Sequence, residues 1–318
     1  MCRRYLLISP CRDEAAYLQT TLDAVAAQSV RPTKWIIVDD GSSDATPEIL
    51  SRAAAQHPFI QVTRRENRGH RSLGPGVIDA FYHGLSTVNL DDFDYVCKLD
   101  CDLEITPQYF ERSMQLFEED PWLGTLSGKL HLRVGDREIV ERTGDENSVG
   151  PVKFYRVDCF KAIGGFVREV CWDGIDGHMC RLSGWVARSI DDPLLRIIHL
   201  RQMGSSHISL WNGRKRWGRG KYFMGSSPLY VAAAGVYRMA ERPYVLSGLG
   251  ILWGYLRARL ERAARMEDPR YLEFLQRYEL ESLLHGKRRT ADRYHAKIRR
   301  RPPGSAGLPP RPMPVKDQ

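Results

Sequence analysis

This 318-residue chain has seven cysteines but no Cys-x-x-Cys pair. The seven are odd in number and irregularly spaced, so we read the thiols as reduced. No apolar run approaches the roughly 20 residues needed to span a bilayer. The nearest, residues 245–256, is too short. No signal-peptide-like apolar region precedes the first strand-like run, because Met-Cys-Arg-Arg leads straight into it. Together these point to a cytoplasmic protein. There is also no internal repeat.

Charge of one sign is scarce where the other is plentiful. Residues 1–213 carry 24 Lys/Arg against 30 Asp/Glu, residues 214–301 carry 21 against 8, and the tail 302–318 adds two basic and one acidic, for a net of +8. An acidic front and a basic back suggest two jobs. Basic segments attract nucleic acid, anionic lipid headgroups or phosphorylated substrates. Apolar content of 42% and charged content of 27% are ordinary for a soluble globular chain.

The most informative segment is residues 35–44, Trp-Ile-Ile-Val-Asp-Asp-Gly-Ser-Ser-Asp. A continuous apolar run fits a strand buried on both faces, as in a parallel sheet. Asp39 and Asp40 then stand at the carboxyl end of that strand, where open α/β sheets bind ligands. Ser42, Ser43 or Asp44 can cap the following helix. Strand-like runs at 5–9, 35–38, 59–63 and 95–99 alternate with helix-like spacing at 13–28, 47–56, 73–85 and 106–118. The last of these has Thr106 as its expected cap. The alternation predicts βαβ units around a largely parallel sheet. Beyond 123, short strand-like runs (124–134, 152–157) flank a polar loop, 136–150, which is a candidate lid or acceptor-side element.

Asp100-Cys101-Asp102 ends another buried run. Two carboxylates at i and i+2 can share a hard cation, Mn²⁺ or Mg²⁺, that bridges to substrate phosphates. A lone pair of this kind is usually a turn. A second strand ending in Asp39-Asp40 favours a site instead.

These pieces together resemble family 2 glycosyltransferases of the inverting GT-A fold. The matching residues are Ser9-Pro10-Cys11-Arg12-Asp13-Glu14, Gln28-Ser29, Val38 to Asp44, Glu66-Asn67-Arg68-Gly69 with Ala80 and Gly84, and Leu99 to Asp102, covering about residues 4–120. The resemblance implies an α/β, Rossmann-like architecture with a mostly parallel central sheet flanked by helices. It also implies a nucleotide-diphosphate sugar donor carrying UDP or GDP. Pro10, Arg12, Glu14, Asp39, Asp40, Asn67 and Asp100 would bind that donor. Asp102 and Asp100 would hold the metal, with His199 (or His207) completing its shell. The family's catalytic base corresponds to Asp173 or Asp176 in Trp172-Asp-Gly-Ile-Asp-Gly. We prefer Asp176, which lies closer to the following helical run. Cys11-Arg12 replaces a Tyr-Asn-like pair that is usual in the family. Arg216-Trp217 matches the end of the Gln-x-x-Arg-Trp motif of processive members and would contact acceptor or diphosphate, but Gly213 stands where the Gln belongs.

The expected organisation is a catalytic domain at 1–213, with a nucleotide-sugar half to about 103 and an acceptor half from about 104. A basic, aromatic helical extension follows at 214–298, then a disordered tail at 299–318. Aromatic and apolar residues interleaved with arginines in the extension fit a membrane interface. We therefore expect peripheral attachment to an anionic membrane at the inner face of the cell. The expected activity moves a sugar to a hydroxyl of a glycan or polyprenyl-diphosphate-linked acceptor, as in bacterial exopolysaccharide or capsule synthesis. No nucleic-acid partner is expected. A sugar nucleotidyltransferase would carry a Gly-rich, Arg/Lys-containing first loop, which residues 9–14 lack. A non-catalytic nucleotide- or nucleic-acid-binding protein would not need both carboxylate sets.

Overall fold

The computed structural model describes residues 3–69, 74–134, 137–141, 144–201, 210–240 and 244–305. The strands are β1 (Tyr5–Cys11), β2 (Lys34–Asp39), β3 (Ile60–Arg64), β4 (Tyr95–Leu99), β5 (Leu103–Ile105), β6 (Leu123–Ser127), β7 (Leu130–Val134), β8 (Arg137–Val140), β9 (Val152–Arg156), β10 (Val186–Ser189) and β11 (Ile197–His199). The helices are α1 (Leu18–Ala26), α2 (Thr46–Gln56), α3 (Pro75–Leu85), α4 (Tyr109–Glu119), α5 (Val157–Ala162), α6 (Trp172–Leu182), α7 (Leu210–Met224), α8 (Pro228–Arg238), α9 (Leu246–Leu260), α10 (Pro269–His285) and α11 (Lys287–Ile298).

The main sheet has the order β10-β6-β9-β4-β1-β2-β3. β1 pairs in parallel with β2 and β4, β2 with β3, and β10 with β6. Only β9 runs antiparallel, between β4 and β6. The expected mostly parallel sheet is therefore present, and β9 joins its two parallel parts. A smaller sheet, β5-β11-β7-β8, stands beside it.

Successive residues of a strand point to opposite faces, and both faces of this sheet are covered. Leu7, Trp35, Ile37, Cys97 and Leu99 enter one core with Phe110, Phe117 and Phe154. Leu6, Ile8, Ile36, Val38 and Val96 enter the other with Ile78, Phe81 and Phe160. This explains why the strand sequences read as unbroken apolar runs. Gly84 lets α3 lie against the sheet, since a Cβ there would stand 2.9 Å from Val38 Cγ2.

Four boundaries differ from expectation. α1 begins at Leu18 because residues 12–15 are tied to the 42–46 loop. Thr106 does not cap α4; its hydroxyl donates to Leu194 O and α4 starts at Tyr109. The loop expected at 136–150 contains strand β8, paired with β7. The tail does not begin at Arg299. Trp122 Nε1 donates to Arg301 O at 2.7 Å, and Gly304 packs on the Trp185 ring. Residues 306–318 lie outside the described residues.

The basic extension is all helix. α7 packs on α9 through glycines: Gly218 meets the Ile251 carbonyl and Gly254 meets the Lys215 backbone. α10 and α11 return to the catalytic part, where Tyr271 and Leu275 share a core with Trp172, Ile175 and Met179. Among the described residues no helix is long and apolar enough to cross a membrane.

Candidate active site

The carboxyl ends of β1, β2 and β4 lie side by side, so the parallel register assembles the site. Cys11 pairs with Asp39, and the Asp40 N–H donates to Cys11 O at 2.8 Å. Asp13 takes φ +52, and this bends the first loop over the second. Its Oδ1 accepts from Ser43 N at 2.8 Å, its own N–H donates to Ser42 Oγ at 3.0 Å, and Glu14 N donates to Thr46 Oγ1 at 2.9 Å. Neither serine caps α2, whose N-cap residue is Ala45 without a side-chain bond; Asp44 Oδ1 accepts from Thr46 N at 2.9 Å just ahead of it.

Asp39 and Asp40 are both buried but differ in their partners. Asp39 Oδ1 accepts from Ser42 N at 2.8 Å, and Oδ2 stands 3.3 Å from Arg64 Nε. Asp40 is held by two guanidiniums, Arg65 at 2.8 Å and Arg68. Arg12 donates to Asp40 O at 2.9 Å and to Asn67 Oδ1 at 2.8 Å. Arg12, Asn67 and Asp40 are thus one network, and the arginines at 64, 65 and 68 pair with the carboxylates at the end of β2. Gly41, at φ +77, permits this closeness: a Cβ there would fall 2.5 Å from Asn67 Cα. Pro10, on β1, pairs with Val38 of β2, and its carbonyl accepts from the Cys101 thiol at 3.8 Å.

Asp102 is the focus of the other end. It is 2% exposed, and its Oδ2 lies 3.2 Å from His199 Nε2 and 2.6 Å from Arg201 Nε. Arg201 also donates to Glu14 Oε1 at 2.7 Å, so one guanidinium links the first motif to the third. Burial opposes ionisation of Asp102, but the His199 hydrogen bond and the charges of His199 and Arg201 outweigh it and keep the carboxyl below its usual range. Asp102 Oδ1 and His199 Nδ1 are buried with no hydrogen-bond partner among the described residues. Asp100, more exposed, pairs with Lys98, which is itself buried and also donates to Gly150 O at 3.1 Å. Lys98 therefore serves Asp100 and is not on an open strand face. His207 lies outside the described residues.

No three His, Cys, Asp or Glu side chains among the described residues gather closely enough to hold a metal by themselves. The partnerless Asp102 Oδ1 beside His199 nevertheless fits a hard cation that takes its remaining ligands from diphosphate and water, as Mg²⁺ and Mn²⁺ do.

The two candidate bases stand in different surroundings. Asp176 is buried on α6, with Lys153 Nζ 2.6 Å from Oδ1 and 2.5 Å from Oδ2, and with the Tyr155 hydroxyl donating to Oδ2. Burial raises its pKa against the pull of Lys153 and Tyr155. Asp176 is 2% exposed, its carboxylate enclosed by Lys153 and Tyr155. Asp173, one turn earlier, is exposed. A Cβ on Gly150 would stand 2.9 Å from its Oδ2, and Gly150 is the residue whose carbonyl Lys98 holds beside Asp100.

Arg216 and Trp217 part company on α7. Arg216 is close enough to Cys171, two residues before Asp173, for its charge to act on that thiol. Trp217 instead packs against the guanidiniums of Arg214 and Arg238, 5.5 and 4.9 Å from the ring. Sequence reasoning missed Arg201 and the Arg64/Arg65 pair. Arg181, the arginine of the 172–185 segment, is buried in α6 and fixes the 144–148 segment through Asn147 Oδ1 at 2.9 Å and the Glu146 carbonyl. The only available signals were isolated arginines near known motifs.

Residues 7–127 match the model of glycosyl transferase family 2. Over 124 residues the chain is 32% identical to the poly-beta-1,6-N-acetyl-D-glucosamine synthase of Staphylococcus aureus strain COL, a match covering 39% of this chain and 27% of that protein. The Staphylococcus epidermidis synthase of the same name is 31% identical over the same length. The chain thus spans about a quarter of the length of the curated relatives it matches. In fold it is similar to S. aureus TarS 1-349, solved with UDP-GlcNAc, at a TM-score of 0.51 and 15% identity over 93% of this chain and 90% of that one. It is also similar to GalNAc-T7, solved with UDP, GalNAc and Mn²⁺, at a TM-score of 0.51 and 12% identity over 82% and 55%. Residues 7–127 are thus similar to glycosyl transferase family 2, and the architecture of the chain is the GT-A fold.

Proposed function

We propose that this protein is an inverting, metal-dependent glycosyltransferase. It moves a hexosyl or N-acetylhexosaminyl group from a UDP- or GDP-sugar to a hydroxyl of a glycan or lipid-linked acceptor, in the synthesis of a bacterial surface polysaccharide. The observation that carries this reading is Asp102. It is a buried carboxylate just beyond β4, with one oxygen on His199 and Arg201 and the other without a hydrogen-bond partner among the described residues, and β1 alone separates its strand from β2 and the Asp39–Asp40 loop.

In this reading Arg12, Asn67, Asp39 and Asp40, braced by Arg65 and Arg68, bind and orient the nucleoside. Asp102 and His199 hold Mn²⁺ or Mg²⁺, with Asp100 alongside. The metal supplies positive charge to the diphosphate as it leaves. Arg201 adds a fixed cation at the same end. Asp173, and not Asp176, takes the acceptor proton, because it is the one of the pair that is exposed at the cleft edge. Arg216 lies on that acceptor side. The catalytic domain at 1–213 then works with the helical extension, since α10 closes the back of α6.

Thermal melting with UDP and GDP, each with and without Mn²⁺, tests the donor site. One nucleotide should raise the midpoint in metal through linkage. If neither does so, the assignment of a nucleotide-sugar site is wrong.

A further inference from the structure

The α8–α9 hairpin has its large apolar residues on the outside. On α9, Leu246, Leu249, Trp253, Leu256 and Leu260 are between 42% and 71% exposed. At about 100° per residue these positions fall in one stripe roughly 80° wide. The opposite side of the helix is small and buried: Gly248, Gly250, Gly254 and Ala258 lie against α7 and α8. A helix of a protein surrounded by water has the reverse arrangement. α8 repeats the feature, with Leu229, Val236 and Tyr237 each at least 64% exposed. Only three charged residues, Arg238, Glu241 and Arg242, occur between 228 and 256.

Charge surrounds the stripe without interrupting it. Arg257 and Arg259 flank it on its two sides, with Arg257 also 2.6 Å from Glu261. Residues 210–260 hold nine Lys/Arg and a single Glu. Trp211, Trp217 and Trp253 are all partly exposed in the same helices. A second copy on this surface would set two such basic patches against each other across a two-fold axis. Negatively charged lipid headgroups complement them. The acyl boundary below the headgroups takes leucine and tryptophan side chains.

We propose that the outward faces of α8 and α9 form a docking surface for an anionic membrane, with the Leu246–Leu260 stripe entering the headgroup–acyl boundary. α7 lies between this surface and Cys171 at the start of α6. Given the proposed function, a lipid-linked acceptor would then reach Asp173 from the bilayer it is anchored in.

Flotation of the full chain on vesicles of phosphatidylcholine alone, and of phosphatidylcholine with phosphatidylglycerol, tests the surface directly. Wild type should float with the anionic vesicles, be released by high salt and stay behind with the neutral ones. The double variant Trp253→Glu, Leu256→Glu should lose about tenfold or more of the bound fraction. Its melting point and its response to UDP with Mn²⁺ should not change, because both side chains point outward. Arg257→Gln with Arg259→Gln should weaken anionic binding and leave folding intact. Wild type that does not float, or a double variant that floats equally well, overturns the proposal. So does sedimentation showing a dimer that the double variant dissolves in the absence of any vesicle binding. A missing nucleotide response with intact flotation would count against the donor site only.

Discussion

Lys153 and Asp176 form an ion pair in which neither side chain is more than 1% exposed, joining the antiparallel strand β9 to α6. Tyr155, two residues along the same strand face, donates to the same carboxylate. Removing one partner of such a pair leaves a buried charge uncompensated, at about 3–5 kcal/mol. Asp176→Ala should therefore lower the melting point sharply, and any lost activity should track the lost folded fraction in circular dichroism.

Asp173→Asn should separate the two roles. The side chain is exposed, so stability should change by no more than about 0.5 kcal/mol. Sugar transfer to acceptor should fall by about 100-fold or more, as for loss of a general base. Nucleotide binding measured by calorimetry should hardly move. A variant with normal turnover would return the base to another residue.

Asp102→Asn tests the metal end. It removes the negative charge that His199 and Arg201 share. Mn²⁺ should no longer add to the thermal shift given by UDP or GDP, and chelation of wild type with EDTA should reproduce that loss. A metal response that survives in the variant would take Asp102 out of the metal shell.

Two glycines with similar backbones should respond differently to alanine. Gly41 and Gly69 both have positive φ, at +77 and +75, but only Gly41 faces a clash, with the Asn67 backbone. Gly69→Ala should cost about 1 kcal/mol. Gly41→Ala adds steric overlap, should cost about 1–3 kcal/mol, and should also weaken nucleotide binding because it displaces Asn67 and Arg12. Urea unfolding and calorimetry of the pair check both statements.

His295 is 2% exposed on α11. Burial, aided by Arg181, Arg188 and Arg299, lowers its pKa to about 2. The folded state thus keeps it neutral while the unfolded chain takes a proton near pH 6.5. Below that pH the unfolded state binds more protons, so stability falls with falling pH, from about 6.5 down to the folded value. The slope is about 1 kcal/mol per pH unit for this one group. Urea midpoints at pH 6 and pH 5 should show the fall, and His295→Gln should make it shallower by about that amount. An unchanged slope would mean that His295 titrates normally.

The donor half was legible because its chemistry follows its strands. An apolar run stops, a carboxylate follows, and the parallel register carries Cys11, Asp39 and the end of β4 to one edge. The acceptor half was less legible because strand order there is set by long-range packing. The Asp173–Asp176 choice turned on which carboxylate β9 would meet. The sequence does carry a sign of it, since Lys153 lies inside the otherwise apolar run Val152–Tyr155 and a buried lysine needs a carboxylate. Arg201 could not be found by spacing, because it reaches Glu14 and Asp102 only through the pairing of β11 with β5. The arginine- and proline-rich start of the tail reads as disordered by composition, yet Trp122 and Trp185 give residues 301–304 a surface to lie on.

The helical extension has a consequence for how this protein can be cut. Phe274 and Tyr278 cover His178, Tyr278 also faces Arg181, and Arg188 reaches Asp292. Residues 172–188 therefore take part of their packing from α10 and α11, and a chain cut at 213 is expected to fold poorly. Ending the chain at residue 213 would strip one wall from α6 and leave an aromatic cavity open to water, and aggregation is the outcome to expect from such a fragment.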